Sequence, residues 1–192
     1  MYKQLLIALA LFAAVAYFAQ IETEQRELAD KLIRLHVVGA SDSAADQNYK
    51  LEVRDAVIGL LRPILSGAAD AAEAEALLGE NLQALEALAP GLSATLETES
   101  FPERDYETFS LPAGEYRTLR VEIGAAEGKN WWCVMFPPLC YEAASGESDG
   151  EVQAAFARLT GGEIDLITGK SGYVVKFRVL DVIAKLKAYF RR

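Results

Sequence analysis

The sequence predicts an α+β fold: one domain with a mostly antiparallel sheet, helices packed on one face, and an N-terminal hydrophobic leader helix ahead of it. Three observations carry this reading. Apolar residues alternate with polar ones at Ile33–Val37, Ala94–Glu99 and Leu119–Ile123, which is strand periodicity with one buried face. Two stretches with helical spacing lie between the first of these strands and the others. The opening MYKQLLIALALFAAVAYFAQ is apolar after Lys3. A run of strands following helices, without strict alternation of the two, favours helices segregated to one face of a sheet.

Taken in order, residues 1–21 form a leader. Lys3 supplies a positive start, Leu5 to Ala19 is uncharged, and Ala14 and Ala16 fit the small-x-small pattern of a signal-peptidase site. The apolar run is short of the roughly twenty residues that a spanning helix prefers, so a cleaved signal peptide and an uncleaved membrane anchor both stay open. In either case the remainder is exported. Residues 22–31 are charged and polar, a tether or a short helix, and residues 32–192 form the domain.

The first strand is expected around Ile33 to Val37, with Arg34 and His36 on the face opposite the apolar residues. Gly39 and Ala40 end it. Ser43 followed by Asp46 is a capping pattern that starts a helix near Ala44. Val53, Val57, Leu60, Leu61 and Ile64 form its apolar stripe, widened by Leu51 and Ile58, and Pro63 and Gly67 close it. A second helix is expected from Asp70 to Leu88, stopped by Pro90-Gly91. Strands follow around Ala94–Glu99, Tyr106–Leu111, Leu119–Ile123 and Trp131–Phe136. A loop at Glu142–Gly150, a weak helix at Val152–Leu159, a strand at Tyr173–Phe177 and a basic amphipathic helix at Val179–Phe190 complete the chain.

Composition narrows function. A hydrophobic content of 52% with 24% charged residues excludes global disorder. The net charge of −9 argues against nucleic acid as the main partner, because phosphate binding needs a basic face. Lys170 to Arg192 runs against that average, with seven Lys or Arg and only Asp181 opposing them. The helix in that stretch is expected to cover the sheet, or to rest on anionic lipid or an acidic partner loop.

Gly146-Glu147-Ser148-Asp149-Gly150 satisfies the nucleophile-elbow spacing, but no hydrophobic strand precedes it and the single histidine lies upstream. Gly169-Lys170-Ser171 has Ile164 where a P-loop needs glycine. With one histidine and two cysteines, a metal site of the usual kinds lacks ligands unless carboxylates supply them, and no cofactor motif appears.

The chemically interesting residues lie in two segments, LIRLHVVGASDSAADQNYKLEVRDAV (32–57) and NWWCVMFPPLC (130–140). His36 is either a structural histidine or part of a polar cluster with Asp42 and a basic residue of the helix, Lys50 or Arg54. Trp131 and Trp132 should point to opposite faces of a strand, one into the core and the other partly exposed as an interface anchor. Cys133 and Cys140 form a disulfide, remain buried thiols, or supply a nucleophile activated by His36.

These two segments, with the strand and helix at Tyr173–Phe190, resemble the stage II sporulation protein R family, and the resemblance runs from Ile33 to the C-terminus. The family's loop commonly carries Ala-Asn ahead of Ser-Asp, where this chain has Gly39-Ala40. A contact through that Asn is therefore not carried over. The resemblance implies a non-enzymatic signal, exported into the space between forespore and mother cell. There it activates a membrane-embedded aspartic protease that processes the pro-form of sigma-E. The expected contact residues are His36, Asp42, Arg54, Trp131 and Trp132. The alternatives are an exported envelope-acting enzyme using His36 and Asp42, or an anchored structural protein of the engulfment interface.

Overall fold

A computed structural model describes residues 2–106, 109–139 and 157–168. These residues group into two compact units. One comprises the described residues within 30–99 and 116–159, the other those within 1–29, 100–115 and 160–192. The architecture is α+β, with a mostly antiparallel mixed sheet.

The larger unit is built on β1 (Ile33–Val38). After it come α2 (Ala44–Leu65), α3 (Ala71–Glu80) and α4 (Leu82–Glu86), then β2 (Leu92–Phe101), β5 (Gly114–Ile123) and β6 (Asn130–Phe136). The strands lie in the order β2-β5-β1-β6. β1 pairs antiparallel with β6, placing Leu35 beside Cys133 and His36 beside Trp132. On its other side β1 pairs parallel with β5, placing His36 beside Arg120. The alternation pattern predicted the strands but not this parallel pair, because the helices that carry the chain across lie far from β5 in sequence.

Ser43 caps α2 as its spacing predicts: the hydroxyl accepts the Asp46 N–H at 3.1 Å. The stripe Val53, Val57, Ile58, Leu61 and Leu65 is buried, whereas Leu51 faces outward. The expected second helix is two. It begins at Asp70, whose carboxylate accepts the Glu73 N–H, and breaks at Asn81, which leaves helical geometry at ψ 4 and turns its amide back to the Leu77 carbonyl. An Asn competes for backbone partners inside a helix, and here it wins.

The core lies between these helices and one face of the sheet. Leu35 and Val37 meet Val57 and Leu61 of α2, Leu78 of α3, and Leu119 and Val121 of β5. Each such side chain gains about 1.5–3 kcal/mol from leaving water. Unlike the half-buried pattern expected from alternation, all six residues of β1 are buried, Arg34 and His36 included. Arg34 places its guanidinium 5.2 Å from the centre of the Tyr116 ring.

In the other unit, α1 (Tyr2–Ala29) is one continuous helix that includes most of the stretch expected as a tether. Leu5, Leu9, Phe12 and Val15 are exposed, while Ile21, Leu28 and Ala29 are buried. Among the described residues no helix is long and apolar enough to cross a membrane. β3 (Arg104–Asp105) and β4 (Ser110–Leu111) form a small antiparallel pair with Tyr106 stacked on Phe109, so among the described residues the run expected at Tyr106–Leu111 is strand at Ser110–Leu111. α5 (Gly161–Thr168) opens with a capping box. The Thr160 N–H donates to the Glu163 carboxylate and the Glu163 N–H to the Thr160 hydroxyl, which is why a glutamate is buried there. Leu159 lies in the bend before α5, so the weak helix does not extend to it. Ala157 and Arg158 form a turn, while residues 152–156 of that helix, the loop at Glu142–Gly150, Cys140, and the strand and helix expected at Tyr173–Phe190 fall outside the described residues.

Candidate functional site

Two polar assemblies flank β1. The first is the connection from β1 to α2, residues Gly39–Ser43. It lies against the connection from β5 to β6, residues Gly124–Lys129. The Gly128 N–H donates to the Gly39 carbonyl at 2.8 Å, the Glu127 N–H to the Ala40 carbonyl, and the Gly39 N–H to the Lys129 carbonyl. Asp42 fastens the pair by accepting the Lys129 N–H at 2.8 Å. From below, the Lys50 ammonium donates to the Lys129 carbonyl at 2.9 Å and to Gln47 Oε1 at 2.7 Å, while Gln47 donates to the Ser41 carbonyl. A Cβ at Gly128 would overlap the Ser41 carbonyl, so this close approach requires glycine. Burial pushes the Lys50 pKa below the ordinary lysine value, and the nearby Asp42 carboxylate offsets part of that shift.

The second assembly is a row across the sheet face opposite the helices. His36 Nδ1 lies 2.9 and 3.1 Å from the two carboxylate oxygens of Glu99. A carboxylate can only accept, so Nδ1 carries the proton. The Arg120 guanidinium binds the same carboxylate and also reaches Glu122, with Glu97 at 3.6 Å. Burial alone would lower the Arg120 pKa, but its hydrogen bonds to Glu122 and Glu99 outweigh that, and the net shift is upward. The Trp132 ring stands 5.7 Å from the imidazole, tilted by 54°. Trp131 points the other way, against the core, and Arg54 lies over it at 5.0 Å while bonding Asp55.

The residues singled out in the sequence therefore separate. Asp42 serves the loop pair, His36 serves the row, and Arg54 serves Trp131. Lys50 joins Asp42's side rather than His36's. The two tryptophans take opposite faces, and both are half-buried. Cys133 is buried and disulfide-bonded. Glu99 and Arg120 were missed as the partners of His36. Their signal was the period-two placement of Glu97, Glu99, Arg120 and Glu122 on single strand faces, but the register that brings them to His36 is not written locally. A histidine oriented by a carboxylate beside an arginine is an arrangement capable of acid–base work. The expected acid–base pair of His36 with Asp42 is not assembled, since the Asp42 carboxylate is turned to the Lys129 amide. Among the described residues no group of three or more His, Cys, Asp or Glu could hold a metal ion.

The family model described as stage II sporulation protein R matches residues 29–146, a span that takes in every residue of both assemblies. This chain belongs to the stage II sporulation protein R family. Stage II sporulation protein R of Bacillus subtilis (strain 168) is 30% identical over 184 residues, covering 86% of this chain and 82% of that protein. No solved structure matches. Within this family member, segments 32–57 and 130–140, separate in sequence, meet along the pairing of β1 with β6.

Proposed function

We propose that this chain is an exported sporulation signal that activates a membrane-embedded aspartic protease of the mother cell, leading to processing of the pro-form of sigma-E. The observation that supports this reading is that the two segments carrying the family resemblance share one corner of the fold. β1 and β6 are neighbours, and the loops at the end of this pair are stitched together through Asp42, Lys50 and Lys129. A stiff loop pair next to the Arg54–Trp131 stack suits recognition by surface shape, because little conformational freedom is lost on binding. In this reading residues 1–21 direct export as a signal peptide or anchor. The domain acts between the two membranes, and contact of the basic residues in Lys170–Arg192 with a membrane surface is part of the same proposal.

The test is co-expression in a non-sporulating host of the exported protein, the protease and its pro-sigma substrate. Cleavage that requires this protein is the expected result. Absence of cleavage with all three components folded and correctly placed would reject the signalling role. Arg54→Ala and Trp131→Ala should then reduce cleavage while the protein is still exported and folded.

A further inference from the structure

The far edge of the sheet, away from β6, is β2. Its backbone shows which groups face outward. The N–H groups of Leu92 and Ala94 bond away from β5, to the Ala89 carbonyl and the Glu86 carboxylate, while the Gly91 carbonyl accepts from Gly124 at the end of β5. Strand alternation then turns the N–H and C=O groups of Leu96 and Thr98 outward as well. Among the described residues Glu86 covers the edge at Ala94. Among the described residues no backbone group pairs with the outward side of Leu96 and Thr98.

A ten-residue edge strand is long, and natural sheets blunt such edges with lysine, proline or bulges. From Ser93 to Glu99 β2 has no lysine or proline. What it has is acidic. Glu97 and Glu99 stand on one face, and the Glu97 side chain is 44% exposed with only a 3.6 Å approach from Arg120. Two copies of β2 side by side would place like charges on the same face, which opposes self-pairing. A strand with basic residues at alternate positions would meet Glu97 with the opposite charge.

We propose that the outer edge of β2, at Leu96 and Thr98, is a docking site that accepts an extended, basic segment of a partner protein as an added strand. This surface lies on the edge opposite the Asp42–Trp131 corner and does not depend on the partner being a protease.

The test uses the full 192-residue chain and a fluorescently labelled peptide of four Lys-Val repeats, followed by anisotropy at low and high salt. Saturable binding is expected. Thr98→Pro removes one outward donor without touching the β5 ladder and should weaken binding about tenfold. Glu97→Lys should weaken it about fivefold and flatten the salt dependence. Should Thr98→Pro fail to fold, a peptide N-methylated at alternate amides provides the same comparison on the unaltered protein. The idea is overturned if the peptide does not bind, or if it binds equally to folded Thr98→Pro. Equal affinity of the plain and N-methylated peptides would also overturn it.

Discussion

The two faces of the sheet are both buried at β1, and they are held in opposite ways. On one face Leu35 and Val37 sit among aliphatic side chains of α2, α3 and β5. On the other His36 shares one carboxylate with Arg120. The first face draws its stability from area removed from water, which is non-directional and tolerant of small shifts. The second depends on angles and charges, so that removing one member leaves the others with an unmet polar group. Burial alone is thus a poor guide to what a substitution will do.

Substitutions along β1 and its neighbours test that contrast. Leu35→Ala should have the largest effect, lowering unfolding free energy by about 3–5 kcal/mol in urea titrations, since a fully buried leucine leaves a cavity. A loss under about 1 kcal/mol would mean that the helix-covered face is not the main core. Glu99→Ala comes next, at about 2–3 kcal/mol, because both His36 and Arg120 lose a charged acceptor. In that background His36→Ala should cost less than it does alone, and additive losses would show that the row is not a unit.

Asp42→Ala removes one hydrogen bond of the loop pair and should cost about 1 kcal/mol. Its signature is faster hydrogen exchange at the Lys129 amide with the rest of the sheet unchanged. Arg54→Ala should cost about 0.5–1 kcal/mol and shift Trp131 fluorescence. The smallest effect concerns pH. The Lys50 pKa is lowered in the folded protein, so the folded state holds that proton less tightly than the unfolded chain does. The penalty is in force below the folded pKa and is relieved as pH rises through it toward 10.5. Stability relative to Lys50→Met should therefore improve on raising the pH toward that value, and an unchanged or falling difference would contradict the buried ammonium.

The apolar face was legible in the sequence because strand alternation and the stripe of α2 report burial residue by residue. The cap at Ser43 was legible for a similar reason, since both partners lie within one helical turn. The break at Asn81 was not, because the Ala- and Leu-rich residues around it favour helix on both sides. The polar face was legible only in part. His36 stood out as the single histidine, but Glu99 and Arg120 did not, because which residues meet it depends on the parallel pairing of β1 with β5, and local pattern does not encode it. Asp42 attracted attention as a contact residue because it is a charged side chain in a loop, whereas its carboxylate is engaged by a backbone amide far along the chain.

The position of β1 bears on how the protein is made. It is the first strand of the sheet to be synthesised, yet both of its neighbours, β5 and β6, begin at Gly114 and Asn130. Loop-closure entropy must be met before either pairing is rewarded, which places the sheet among slow, non-local folding events. Until β5 emerges, six residues destined for full burial have no sheet on either side, and until β6 follows they have it on one side only. The central strand is therefore the last part of the sheet to be completed, and the β1–β6 corner exists only once nearly three quarters of the chain is available.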